Sequence, residues 1–308
     1  MKLLKNTIAL AICSTFTLPS MAANVDIYGK ANISLQSSDE GAGSFTEVKS
    51  NASRIGFKGT HKLDDGLEVV YKLEYQVDMD GDSPKGSSIT DRNQYIGIKG
   101  SFGEVLIGKN DTVLKQSQGK TDVFSDLNGD IKHLWKGENR MSDTVTYKSP
   151  KMNGFQLGAT YIAADSLDAN SAYSLAVVYG DKKLKKSKIF ASIATDSEVK
   201  GYDVTRATVQ GKVAGFVLGA MVQTQEKLAS GDKMDGAMVS AKYKMGKVTL
   251  KGQYQVADHN GGDTNKGATV GADYKLAKNT KLYTFYTNLN FDTNPDQKYL
   301  AAGIEYKF

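Results

Sequence analysis

Apolar and polar residues alternate along almost the whole chain. In residues 25–35, Val25, Ile27, Gly29, Ala31, Ile33 and Leu35 oppose Asp26, Tyr28, Lys30, Asn32 and Ser34. The same period of two runs through residues 67–78, 248–256, 268–276 and 299–308. Successive side chains then point to opposite faces, so each stretch is a strand with one apolar and one polar face. Residues 95–98 and 185–194 carry apolar residues on both faces, and 202–209 changes phase. A bulge or a protein-covered outer face accounts for such departures.

Two kinds of connection take turns. Short ones marked by Gly or Asp fall near residues 61–66, 100–103, 149–154, 180–184, 211–215, 244–247 and 276–280. Longer polar ones fall at 36–49, 79–91, 110–139, 164–170, 196–200, 226–235, 258–266 and 292–296. Seven short and eight long connections imply sixteen strands. Strict alternation is how an up-and-down meander reads when its two rims differ. No linker or composition break divides the chain, so one domain over residues 23–308 is expected.

The polar face carries Lys30, Arg54, Lys72, Glu74, Lys251, Asp273 and Glu305. Such a face cannot be a dry core. A closed antiparallel barrel with lipid outside and water inside resolves this, and closure pairs every backbone donor and acceptor. The expectation is an all-β, 16-stranded transmembrane β-barrel, a size that leaves an aqueous channel. All 16 tyrosines fall in expected strands, many of them suited to interfacial girdles.

Composition narrows the picture. With 40% apolar residues in 308, the chain is not disordered, and it has no run of about 18 apolar residues for a helical span. Residues 1–22 have a basic start at Lys2 and Lys5, a short apolar run and a small-residue exit at Ser20-Met21-Ala22. That order predicts a cleaved signal peptide. It would take the one Cys, Cys13, and lower the net charge from +5 to about +3. No basic stripe points to nucleic acid.

Four stretches resemble the general diffusion porins of Gram-negative outer membranes. They are Val25 to Lys30, Ser53-Arg54-Ile55-Gly56-Phe57-Lys58-Gly59, Glu138-Asn139-Arg140 with residues 145–150, and an end on Phe308 with Tyr306 two residues earlier. The resemblance spans essentially the whole mature chain. It implies a long third loop, here Asn110–Asn139, folded into the lumen. It also implies a basic wall facing acidic groups on that loop. By motif the wall residues are Lys30, Arg54, Arg92 and Arg140. The enterobacterial Pro-Glu-Phe-Gly-Gly stretch is absent, and its nearest equivalent is Asp122-Val123-Phe124-Ser125-Asp126. The acidic candidates are therefore Asp122 and Asp126, with Asp130 behind them. Tyr306 and Phe308 resemble the signal read by the barrel-assembly machinery.

The resemblance implies a homotrimer in the outer membrane, in contact with lipids and lipopolysaccharide, that passes small hydrophilic solutes and ions without a cofactor. Gly29, Ala31 and Gly97 are candidates for close packing on the outer face of the first strands. At about 10 Å and an effective dielectric of about 40, one charge acts on another with roughly 0.8 kcal/mol. That biases ions without trapping them. A substrate-specific channel is an alternative that would need aromatics along the lumen. A secreted or outer-membrane adhesin is another. Enzyme chemistry is not expected, since His61, His133 and His259 lie in connections with no paired serine. Residues 78–82 carry three aspartates but lack the glycine and glutamate positions of a calcium loop.

Overall fold

The computed structural model describes residues 24–82, 86–164, 166 and 170–308. The expected signal peptide, residues 1–22, lies outside the described residues. The strands are β1 (Asn24–Asp39), β2 (Ser44–Ser50), β3 (Arg54–Lys62), β4 (Glu68–Val77), β5 (Ile89–Gly100) and β6 (Gly103–Asp111). After a long connection come β7 (Arg140–Lys148), β8 (Phe155–Ile162), β9 (Ala172–Gly180), β10 (Ile189–Val199), β11 (Tyr202–Val213) and β12 (Phe216–Lys227). The last are β13 (Asp232–Met245), β14 (Val248–His259), β15 (Thr264–Lys275), β16 (Thr280–Asn290) and β17 (Gln297–Lys307).

Every neighbouring pair is antiparallel, and β1 pairs with β17 from Lys30 opposite Lys307 to Asp39 opposite Lys298, which closes the sheet. β2 and β3 both pair with β1 and are two parts of one strand, interrupted where Ala52 adopts a φ of 52°. Seventeen segments among the described residues therefore make a closed barrel of sixteen strands.

The barrel is inside out relative to a water-soluble domain. On β1, Ile27 and Leu35 are each 61% exposed, while Asn32, Ser34 and Gln36 are nearly inaccessible. The same division recurs on β17, where Leu300 and Ile304 are exposed and Tyr299 and Ala301 are buried. Exposed apolar residues on a continuous outer face need lipid as their solvent. The tyrosines divide too: Tyr161, Tyr173 and Tyr286 are exposed on the outer face, whereas Tyr283 and Tyr299 are buried inside.

The strands run further into the long connections than alternation indicates. The β1–β2, β12–β13 and β14–β15 links shrink to residues 40–43, 228–231 and 260–263. Hairpin hydrogen bonds continue after the outer face has left lipid, so the apolar signal fades before the ladder does.

Two small residues take different roles from the expected packing surface. Gly29 lies under the C-terminal ring: a Cβ there would fall 2.2 Å from the Phe308 ring. The backbones of the two residues exchange hydrogen bonds of 2.9 and 3.2 Å. Gly97 sits between exposed Ile96 and Ile98, so it belongs to the opposite, inner face, against Leu106.

Candidate functional site

The connection from β6 to β7 is held along its length by inner-face residues. It starts with a short helix, α1 (Val113–Ser117), capped by Thr112, whose hydroxyl accepts from the Lys115 N–H at 3.2 Å. Val113 and Leu114 pack on Ala176, Ala194 and Val204 of β9, β10 and β11. The outgoing leg then fills backbone valences: Gln210 donates to the Lys120 carbonyl, and Ser240 to the Thr121 carbonyl at 2.6 Å. Phe124 and Leu127 pack among Tyr283, Phe285 and Leu289 of β16 and Tyr299 and Ala301 of β17. On the return leg, Ile131, Leu134 and Trp135 pack on Met221, Met234, Met238 and Ala257. The Trp135 indole donates to the Val256 carbonyl at 3.0 Å.

Between the two legs is a tip at Asp126, in the left-handed region at φ 72°, a conformation aspartate tolerates better than most residues. Its carboxylate accepts from Lys30 Nζ at 2.8 Å and from Arg54 Nη2 at 2.5 Å. Burial opposes ionisation of Asp126. Arg54 and Lys30 outweigh it and hold the carboxyl well below the ordinary aspartate range. Lys30 and Arg54 are themselves a cross-strand pair of β1 and β3.

The other candidates are placed differently. Arg92 lies beside a register shift between β4 and β5 at Leu73/Tyr75, which accounts for the ambiguous phase of its strand. It donates to Glu74 at 2.9 Å. Glu74 also receives Lys72 at 3.2 Å and the Tyr28 hydroxyl at 2.8 Å. Arg140 forms an ion pair with Asp111 at 3.0 Å and donates to Asn93 at 2.8 Å. The wall is therefore a row of basic groups, each with a carboxylate already in contact, and not a bare positive surface.

Asp122 and Asp130 do not touch that wall. Asp122 is buried and accepts the Phe124 and Ile131 N–H groups at 2.9 and 3.2 Å. Burial and the nearby Asp130 push its carboxyl well above the ordinary range, against those two donors. Asp130 accepts from the Asp126 and Lys132 N–H groups, each at 2.9 Å. Both fix the shape of the tip that presents Asp126. In the residue 78–82 segment, Asp80 accepts the Ser50 N–H at 2.6 Å.

Sequence reading missed the second anchor. Arg206, on β11, has no exposed side-chain surface; it donates to Glu138 at 2.7 Å, to Gln223 at 2.8 Å and to the Lys136 carbonyl at 3.2 Å. Gln118 donates to the other Glu138 oxygen at 2.8 Å. Burial raises the Glu138 carboxyl, with Arg206 opposing. The available signal was the irregular stretch 202–209, where Val204 faces inward because Leu114 covers it.

A family model described as Gram-negative porin matches residues 8–294. A relative named monosaccharide porin, from Halomonas sp, is 28% identical over 271 residues, covering 78% of this chain and 73% of its own. Among solved structures, an anion-selective porin from Comamonas acidovorans superposes with a TM-score of 0.74 at 18% identity, over 93% of this chain and all of that one. The trimer form of OmpT, an outer membrane protein of Vibrio cholerae, gives 0.69 at 17% identity over 93% of this chain and all of that one.

Proposed function

The chain belongs to the Gram-negative porin family, and from that premise we propose how it conducts. It is an outer-membrane barrel with a water-filled channel for small hydrophilic solutes. The β6–β7 connection is folded into the lumen and narrows it. The narrowest passage runs between the loop and the inner faces of β3 to β7, along Arg54, Arg92 and Arg140. Asp126 pins the loop tip to the wall and closes the route beside β1. Passage is passive: the paired charges bias ions and orient water, and nothing in the arrangement binds a solute tightly. Three copies assemble through outer faces that include the seam strands, as the trimeric neighbour suggests. The barrel-assembly machinery reads Tyr306 and Phe308, and lipopolysaccharide contacts the long-loop rim.

The observation that carries this reading is the double ion pair of Asp126 with Lys30 and Arg54, from two strands remote from the loop's ends. The experiment is planar-bilayer conductance under a KCl gradient beside Arg54→Ala. Large ohmic steps whose reversal potential moves towards cations in the variant support both the open pore and the wall. Unmoved reversal potentials leave the pore and discard the wall; no steps from folded protein discard the pore.

A further inference from the structure

The two rims of the barrel carry opposite charge. The rim with the short turns opens into three cavities of about 1230, 280 and 200 Å³. Together they are lined by twelve lysines and five carboxylates. Four of those carboxylates are already engaged: Asp273 holds Lys251 at 2.9 Å and Lys281 at 3.1 Å, Glu305 holds Lys307 at 2.8 Å, Asp26 lies 3.9 Å from Lys58, and Asp181 accepts the Lys183, Lys185 and Lys186 N–H groups. At the other rim, the connections and flanks in residues 39–47, 78–82, 196–203, 226–235, 258–266 and 292–298 hold sixteen acids and five lysines.

Resting on the reading of an open channel, we infer that the turn-side half of the lumen is a binding vestibule for small multivalent anions, phosphate esters and oligophosphates in chemical class. Four lysines carry it. Lys148, Lys182 and Lys242 belong to the turn-side wall, and Lys120 reaches it from the outgoing leg of the loop. None of the four has a carboxylate within 4 Å among the described residues. Lys120 is held in place by the Gln210 and Ser240 bonds to its own and the next carbonyl. Lys148 and Lys182 line the same cavity of about 200 Å³. Ser240, two residues before Lys242 on the same face of β13, holds the Thr121 carbonyl next to Lys120. Enclosure lowers the Lys182 ammonium, and the like charges of Lys120, Lys148 and Lys183 lower it further. Salt at 0.15 M screens beyond about 8 Å, and Lys148 and Lys182, which line one small cavity, face a single ligand together. A multivalent anion relieves their repulsion at several points, which chloride does not. Lysine suits the task as a compact charge on a flexible stem. The acidic rim repels the same anion, so capture is one-sided.

The test uses single channels in a planar bilayer, with tripolyphosphate added to one chamber at a time. An Asp64→Cys residue in the β3–β4 turn, tagged with an impermeant thiol reagent, reports which chamber faces the turns. Turn-side addition is expected to block the current at concentrations roughly tenfold below loop-side addition, with relief at 1 M KCl. The variant Lys148→Gln/Lys182→Gln/Lys242→Gln should still conduct and should need roughly tenfold more anion. Lys120→Gln alone, a single solvent-exposed change, should show a smaller shift in the same direction. Open-channel current is recorded first. Conducting channels blocked equally from both chambers, or variants blocked like the parent, overturn the vestibule and leave the channel standing. Absence of conductance overturns both.

Discussion

The guanidinium of Arg206 and the carboxylate of Glu138 meet 2.7 Å apart, with the arginine side chain wholly shielded from solvent. This pair ties the last residues of the β6–β7 connection to β11. Removing one partner of a buried pair strands the other, at a cost of about 3–5 kcal/mol. Arg206→Ala should therefore lower the urea midpoint of refolded protein markedly. Arg206→Ala/Glu138→Gln should recover part of the loss. A double variant no better than the single one would show that packing of the arginine stem, not charge, is what matters.

Asp126 sets a pH window. Its folded-state pKa lies below the unfolded value of about 3.9. The ion pairs thus contribute fully above about pH 4, and their contribution is lost as pH falls below that. Reversal potential should hold steady from pH 7 to pH 4.5 as far as this site is concerned. Asp126→Asn should shift it towards anions throughout, by freeing Lys30 and Arg54. Equal reversal potentials for parent and Asp126→Asn at pH 7 would contradict the assignment.

Trp135 is the only tryptophan in the sequence, and its indole lies against Gly236. A Cβ on Gly236 would come within 2.7 Å of the indole. Gly236→Val should push the ring from its seat, with a red-shifted emission and greater quenching by acrylamide. Trp135→Ala should cost about 3–5 kcal/mol, the usual range for a large buried aromatic. Emission that stays blue in Gly236→Val would mean the return leg is not seated there.

Gly29 and Phe308 give a prediction for closure. The ring of Phe308 stacks on Tyr306 at 5.9 Å and covers Gly29. Gly29→Leu removes the space under the ring, and Phe308→Ala removes the ring. Both should reduce the fraction that reaches the heat-modifiable folded form on gels. Gly211→Ala, where a Cβ meets nothing closer than 3.7 Å, should not.

The barrel was legible because its signal is local. A strand in lipid must show apolar residues on every second position, and residues 25–35, 248–256, 268–276 and 300–308, along β1, β14, β15 and β17, do so without interruption. The site was less legible because its partners are remote. Lys30 and Arg54 could be picked out by motif and Asp126 as the nearest equivalent of an absent one, but that the two cations share the Asp126 carboxylate is a property of the tertiary fold. Arg206 escaped notice because its stretch reads as irregular when the covering Leu114 is unknown. The apolar residues of the loop, from Val113 to Trp135, were passed over in favour of its charges. They are what seats it. Met234 and Met238 then face inward for the same reason, as the other half of that contact.

Three of the four apolar clusters among the described residues include residues of the β6–β7 connection. The loop is thus the part of this molecule that folds as a soluble protein does, by moving apolar surface out of water. The strands instead exchange one set of lipid contacts for another. Release of the loop should consequently carry its own positive heat-capacity change, which the surrounding wall largely lacks. In calorimetry the channel's inner furniture and its shell would then answer temperature by different laws. Cooling weakens the hydrophobic seat while leaving the hydrogen-bonded cylinder that encloses it almost untouched.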